Sequence, residues 1–242
     1  MKNLLLKKIR LSYYFFILFG LFFITFLYLP TYEFSGSALA LFSVNSFLYG
    51  FYISPVLSGQ KARIDELHKI IRSESNALFS LEINLKKLPK KTRNEVQDLI
   101  EKYITAKKSN RNHDYGEKEY EKLIGFCLDY KGDHQDEVEK VLSAVVANQQ
   151  NRTNFMMQMS NKVYSNEWMI MTILFSITLS IIMLMDVQHI VILNIVKALL
   201  CTGLSMLMII LVKLNTLTHK KAKEIWKPFN TLLDTRFYRI DA

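Results

Sequence analysis

The 242-residue chain has little of what cross-links or interrupts a polypeptide: 2 cysteines, 4 prolines and 8 glycines. The two cysteines, Cys127 and Cys201, fall in segments of opposite character, one polar and one apolar, so a disulfide between them is not expected. No Cys/His spacing resembles a zinc site. The largest lack is of charge over long distances. Leu11–Pro30, Ser35–Gln60 and Trp168–Met185 contain no ionisable Asp, Glu, Lys or Arg, and Ile190–Val212 contains only Lys197. A helix needs roughly 20 apolar residues to cross the hydrocarbon core of a bilayer, so these four runs predict four membrane spans. The first run is too long for the apolar region of a cleaved signal peptide, about 7–15 residues, and a second span follows at once. It therefore reads as a retained helix.

What the chain has in excess is positive charge, +9 net. The excess is placed at particular ends. Lys2, Lys7, Lys8 and Arg10 precede the first span, and Lys220, Lys221, Lys223 and Lys227 follow the fourth. Lys61, Arg63, Lys69, Arg72, Arg152 and Lys162 lie toward the ends of the middle segment, while the two short connections, "TYEFSGS" and "DVQHI", have neither Lys nor Arg. By the positive-inside rule both termini and the middle segment are cytoplasmic. The expected layout is a cytoplasmic N-terminus at 1–10, spans at 11–30, 37–58, 167–185 and 191–213, outer loops at 31–36 and 186–190, a cytoplasmic helical domain at 59–166 and a cytoplasmic tail at 214–242. The fold class is thus all-α: four transmembrane helices with a helical, coiled-coil-like cytoplasmic domain between spans 2 and 3. A bacterial inner membrane suits this charge bias, and the basic face suits anionic lipid headgroups. Nucleic acid is not needed to explain it.

The middle segment reads as helices throughout. Ile64, Leu67, Ile71, Glu74, Leu78, Leu81, Leu85 and Leu88 follow one another in steps of 3 and 4, an a/d seam interrupted only by Glu74. Pro89 ends it, and Thr92 with Glu95 forms a capping box for a second helix carrying Val96, Leu99, Ile100 and Tyr103. Lys107 to Gly116 reads as a loop, and a third helix follows around "EYEKLIGFCLDY", broken near "KGDHQ". The last helix starts near Asp136 and is expected to run unbroken into the third span. Its seam is Val138, Leu142, Val145, Gln149, Arg152, Met156, Met159 and Val163. Glu74 and Arg152 both lie about 25 Å from the membrane ends of their helices at about 1.5 Å per residue. That depth predicts a Glu74–Arg152 ion pair across antiparallel helices. The alternative is two unrelated exposed charges.

No catalytic constellation stands out. The five histidines, His68, His113, His134, His189 and His219, are scattered, and only His113-Asp114 and Asp133-His134 set a carboxylate beside an imidazole. There is no Walker loop, GxSxG, HExxH or dinucleotide fingerprint. An enzyme is not expected, nor is a metal or cofactor site. Within the spans the ionisable group is Lys197, with Asn194 three residues earlier on the same face. Lys197 either faces a polar pathway or snorkels to the outer interface.

The second span is speckled with polar groups. Ser43, Phe47, Gly50 and Ser54 stack at i, i+4, i+7 and i+11, with Phe51 beside them, while Asn45, Tyr49 and Tyr52 lie on another side. Small and polar residues in a span mark either helix–helix packing or a pore wall closed by phenyl rings that gate by dewetting. The stretch "SFLYGFYIS", Ser46–Ser54, resembles the second-span motif of bestrophin channels. "ESNALFSLEINLKKLPKKTRNEVQDLIEKY", "NQQNRTN" and "NEWM" resemble bacterial bestrophin-like four-span proteins, and "EIWKPFNTLLD" is similar to the segment after that family's last span. The resemblance implies a homo-oligomer, a pentamer, conducting inorganic ions along its axis. Phe47 and Phe51 would form a hydrophobic neck, with Ser43 standing where the family has an apolar residue. The acidic calcium clasp of animal bestrophins is absent, so calcium gating is not implied. The reading of another class is a membrane-anchored interaction or signalling protein whose helical stalk docks a cytoplasmic partner.

Overall fold

The computed structural model describes residues 9–109, 115–186, 191–219 and 224–234. Among these the chain is helical with no strand: α1 (Leu11–Tyr28), α2 (Gly36–Leu85), α3 (Lys90–Ser109), α4 (Glu117–Asp129), α5 (Gln135–Ser160), α6 (Ser165–Leu184), α7 (Val191–Asn215), a 3-10 turn (Glu224–Trp226) and α8 (Lys227–Asp234). Two compact units result. One joins residues up to Ile64 with Lys162–Ala222, and the other joins Asp65–Asn161 with the residues from Lys223 onward.

The first unit holds the four helices that are long and apolar enough to cross a membrane: α1, the first part of α2, α6 and α7. Helix α1 is apolar on every side. It buries only Phe22 and Phe26 and leaves Phe16, Ile17, Leu21 and Ile24 exposed, the pattern of a helix solvated by hydrocarbon. Phe22 and Phe26 pack with Ile182, Ala198 and Cys201, and a second cluster gathers Tyr49, Ile53, Met171 and Leu211. At one end of this unit the two short connections meet. Tyr32 and Met185 form an isolated parallel bridge, and Thr31 Oγ1 donates to Asp186 Oδ1 at 3.1 Å. The connection residues 187–190, His189 among them, lie outside the described residues, as do the basic flanks at Lys2, Lys7, Lys8, Lys220, Lys221 and Lys223.

The second unit contains the rest of α2 with α3, α4, α5 and α8. Ile64 of the α2 seam is buried in the first unit, and its other members, from Leu67 to Leu88 and including Glu74, are buried in the second. A one-turn connection reverses the chain, so that Glu82 meets Gln97 and Glu74 meets Tyr103. Here the cap differs from the expected Thr92–Glu95 box. Helix α3 already starts at Lys90, and Arg93 N–H donates to the Pro89 carbonyl at 2.9 Å. Proline fits that boundary because its fixed φ suits a helix start and its missing N–H would be unbonded there anyway. Helix α4 opens on Gly116, whose φ is +81°, and a Cβ there would lie 2.9 Å from the Tyr103 ring. Both strain and space therefore require glycine.

Helix α5 departs from expectation twice. Its buried stripe is Val138, Val141, Val145, Asn148, Arg152 and Phe155, so the 3 and 4 steps alternate in the opposite order to the predicted seam. Leu142 is half-buried, Gln149 is exposed and Met156 is exposed. The helix also does not run on into α6. It stops at Ser160, and α6 begins at Ser165. On the α6 side of the break, Val163 N–H donates to Asn215 Oδ1 and Tyr164 N–H to Glu167 Oε2, each at 3.0 Å. Side-chain acceptors thus replace the helical carbonyls, and "SNE" in Ser165–Glu167 supplies the new first turn.

Candidate functional site

Helix α2 shows two contrasting sides between residues 43 and 54. One side is packed. Asn45 Nδ2 donates to Leu174 O at 3.1 Å and to Thr178 Oγ1 at 2.7 Å, Tyr49 is 2 % exposed beside Phe175, and Ile53 is buried. The Ser46 Oγ and Tyr49 hydroxyl atoms are buried on this side without a hydrogen-bond partner. The other side is uncovered. Ser43, Phe47, Gly50, Phe51 and Ser54 are all exposed, with Phe47 at 70 % and Phe51 at 71 %. The two phenyl rings stack on each other, centroids 6.0 Å apart. Ser43 Oγ donates to the Leu39 carbonyl at 3.0 Å, and a Cβ added at Gly50 would meet nothing within 4 Å. The five residues that share a stripe in the sequence therefore share a face that none of the described residues covers.

Lys197 lies elsewhere. It is 5 % exposed, donates from Nζ to Met185 O at 2.7 Å and sits 4.6 Å from the Phe26 ring centroid. The cation thus meets the C-terminal carbonyl end of α6, where the helix dipole is negative, at the end where the short connections meet. Asn194 is half-buried on the same helix.

The second unit buries a cluster of charges. Glu74, fully buried, accepts from the Tyr103 hydroxyl and from Lys107 Nζ, the latter at 2.6 Å. Lys107 is 1 % exposed and its ammonium lies 4.2 Å from the centroid of Phe155. Arg152 instead pairs with Glu117 at 2.6 Å, donates from Nη1 to Gln149 Oε1 at 2.7 Å, and stacks over Tyr120 at 3.9 Å. Tyr120 donates to Val145 O at 2.6 Å, and Asn148 Nδ2 donates to the Tyr120 oxygen at 3.3 Å. The expected Glu74–Arg152 ion pair is therefore not formed. The reason is topological: α3 returns along α2 and α4 along α5, so each charge finds a partner on the helix beside it. Burial pushes Lys107 below the usual lysine range, with Glu74 opposing the shift, and pushes Tyr103 well above the usual tyrosine range, with Glu74 adding to it.

Lys107 is the member that the sequence pattern hides, since it begins a polar stretch that reads as a loop. Helix α3 instead extends to Ser109. The signal was the stripe Val96, Ile100, Tyr103, Lys107, in steps of 4, 3 and 4, which faces Glu74 on α2. His113 and Asp114 lie outside the described residues. Among the described residues no group of His, Cys, Asp and Glu could hold a metal ion.

The fold is that of a four-span helical membrane protein whose second span presents an uncovered phenylalanine face. Comparison with known families gives a match to the Bestrophin-like domain over residues 30–230, most of the chain. The chain belongs to the bestrophin-like family. Neither the comparison with curated proteins nor that with solved structures found a match.

Proposed function

We propose that the protein is a homo-oligomeric ion channel of a bacterial inner membrane, a pentamer with the N-terminal part of α2 around its axis. The observation that carries this reading is the uncovered stripe of Ser43, Phe47, Gly50, Phe51 and Ser54. A lipid-facing helix gains nothing from glycine and little from serines, whereas small and polar residues are favoured where helices pack or water enters. A face that is polar at some levels and phenyl-lined at others suits a water-filled pathway with a hydrophobic constriction. Family membership supports the same reading. Phe47 and Phe51 would form the neck, with Ser43 beside it adding a hydroxyl whose proton already satisfies the helix backbone. Inorganic ions are the permeant species, no cofactor is invoked, and the helical second unit is cytoplasmic. Subunit counting by native mass spectrometry of the detergent-purified protein tests this. Five subunits support the axis, and a monomer or dimer removes it.

A further inference from the structure

Within the second unit a groove of ≈ 720 Å³ runs between α2 and the C-terminal segment. Its volume falls within the range of small-molecule sites, roughly 300–1,000 Å³. Helix α2 contributes Arg72, Asn76 and Phe79, and α8 contributes Lys227, Pro228 and Thr231. The α8 wall is fixed in place. Phe229 is fully buried and Leu232 is 5 % exposed. Ser75 Oγ donates to Pro228 O at 3.2 Å, and Lys108 Nζ donates to Asn230 Oδ1. The groove is therefore formed without a ligand, so a binding partner would not have to order it.

The chemistry of the lining is selective. Arg72 and Lys227 are exposed and have neither an ion pair nor a hydrogen bond among the described residues, whereas the carboxylate in the lining comes from Glu224 alone. Two free cations from separate elements therefore face one acid. A guanidinium fork and an ammonium point charge together match a group with several charged oxygens. Asn76 and Thr231 add neutral donors, and the half-open Phe79 ring with Pro228 gives an apolar wall for the rest of the molecule.

We propose that this groove binds a phosphate-bearing small molecule, its phosphate between Arg72 and Lys227 and its body against Phe79 and Pro228. The phosphate belongs either to a soluble metabolite or to a lipid headgroup, and the test separates the two. The detergent-purified full chain is titrated calorimetrically at low ionic strength with inorganic pyrophosphate and, separately, with short-chain phosphatidic acid. At least one probe binds saturably, and Arg72→Gln and Lys227→Gln each weaken it about tenfold or more, since a charge-assisted hydrogen bond is lost. Lys69→Gln leaves it unchanged, because Lys69 lies outside the groove and is paired with Glu66. Pyrophosphate binding assigns the site to a soluble phosphate, and binding of phosphatidic acid alone assigns it to a headgroup. Absence of binding by both probes overturns the proposal. So does wild-type affinity in the Arg72 and Lys227 variants, or an equal loss in the Lys69 variant. Binding is read without current, so either result leaves the channel reading standing on its own test.

Discussion

Two of the buried lysines, Lys197 in the first unit and Lys107 in the second, are neutralised in different ways. Lys197 sits among membrane-spanning helices and meets backbone carbonyls at the end of α6. Lys107 sits in the second unit and meets a full carboxylate, a tyrosine and two phenylalanine rings. A helix C-terminus offers a fixed partial charge that needs no desolvation of its own, which suits a region with no water. A carboxylate offers more attraction but must itself be desolvated. Glu74 is therefore bonded on both oxygens, by Tyr103 and by Lys107. The first arrangement ties down a helix end, while the second fixes which helices lie side by side.

The sharpest way to break this contrast is to remove one member of the carboxylate pair. Glu74→Gln leaves the Lys107 charge buried without its counter-ion and is expected to cost about 3–5 kcal/mol of stability. The double change Glu74→Leu with Lys107→Met recovers most of that loss. Denaturant unfolding followed by circular dichroism checks both, and a double variant as unstable as the single one counts against a pair that acts chiefly on helix register. Lys197→Met removes the link to the α6 carbonyls and the contact of the ammonium with the Phe26 ring, and should cost about 1 kcal/mol. A loss as large as that of Glu74→Gln would show that the two lysines are not held differently.

A smaller effect comes with pH. Burial pushes the Cys127 thiol up from 9.0 to about 11, and Tyr120 from 10.0 to about 12. Between pH 9 and about 11 the folded state keeps the Cys127 proton that the unfolded state releases, so stability falls as pH rises. Tyr103 and Tyr120 act with the same sign from pH 10 upward. Lys107 acts oppositely, since its lowered value makes the unfolded state the better proton binder below 10.5. Melting temperatures at pH 8, 9 and 10 should fall less steeply in Cys127→Ala than in the parent chain. Parallel curves would remove the thiol from this account. The smallest expected change in stability, within about 0.5 kcal/mol, is that of Phe47→Ala with Phe51→Ala, because neither ring packs against this chain's core.

Much of this was legible in the sequence because each solvent selects its own pattern. Hydrocarbon excludes charge, so the four uncharged runs marked the helices of the first unit without any need for packing. Water allows charge everywhere except in a seam, so the buried stripe of α2 and the turn after it could be read from Ile64 to Leu88. Glu74 showed itself as the one polar member of that stripe. Its partner could not be read from depth alone, because depth places two residues at one level without saying which helices are neighbours. Lys107 also follows a polar-looking run, "TAKKSN", in which helix and loop look alike. The break between α5 and α6 was missed because it depends on Asn215, a residue distant in sequence whose side chain accepts the Val163 N–H. The face of Ser43, Phe47, Gly50, Phe51 and Ser54 could be drawn from helical spacing, but only the fold shows that the described residues leave it uncovered.

Planar-bilayer recording of the reconstituted protein, comparing the parent chain with the Phe47→Ala, Phe51→Ala double variant, tests the central claim most directly. The account predicts ionic current from the parent chain and a larger unitary current from the variant, since trimming the stacked rings widens and wets the neck. The same unitary current from both, or none from the parent chain, would contradict it.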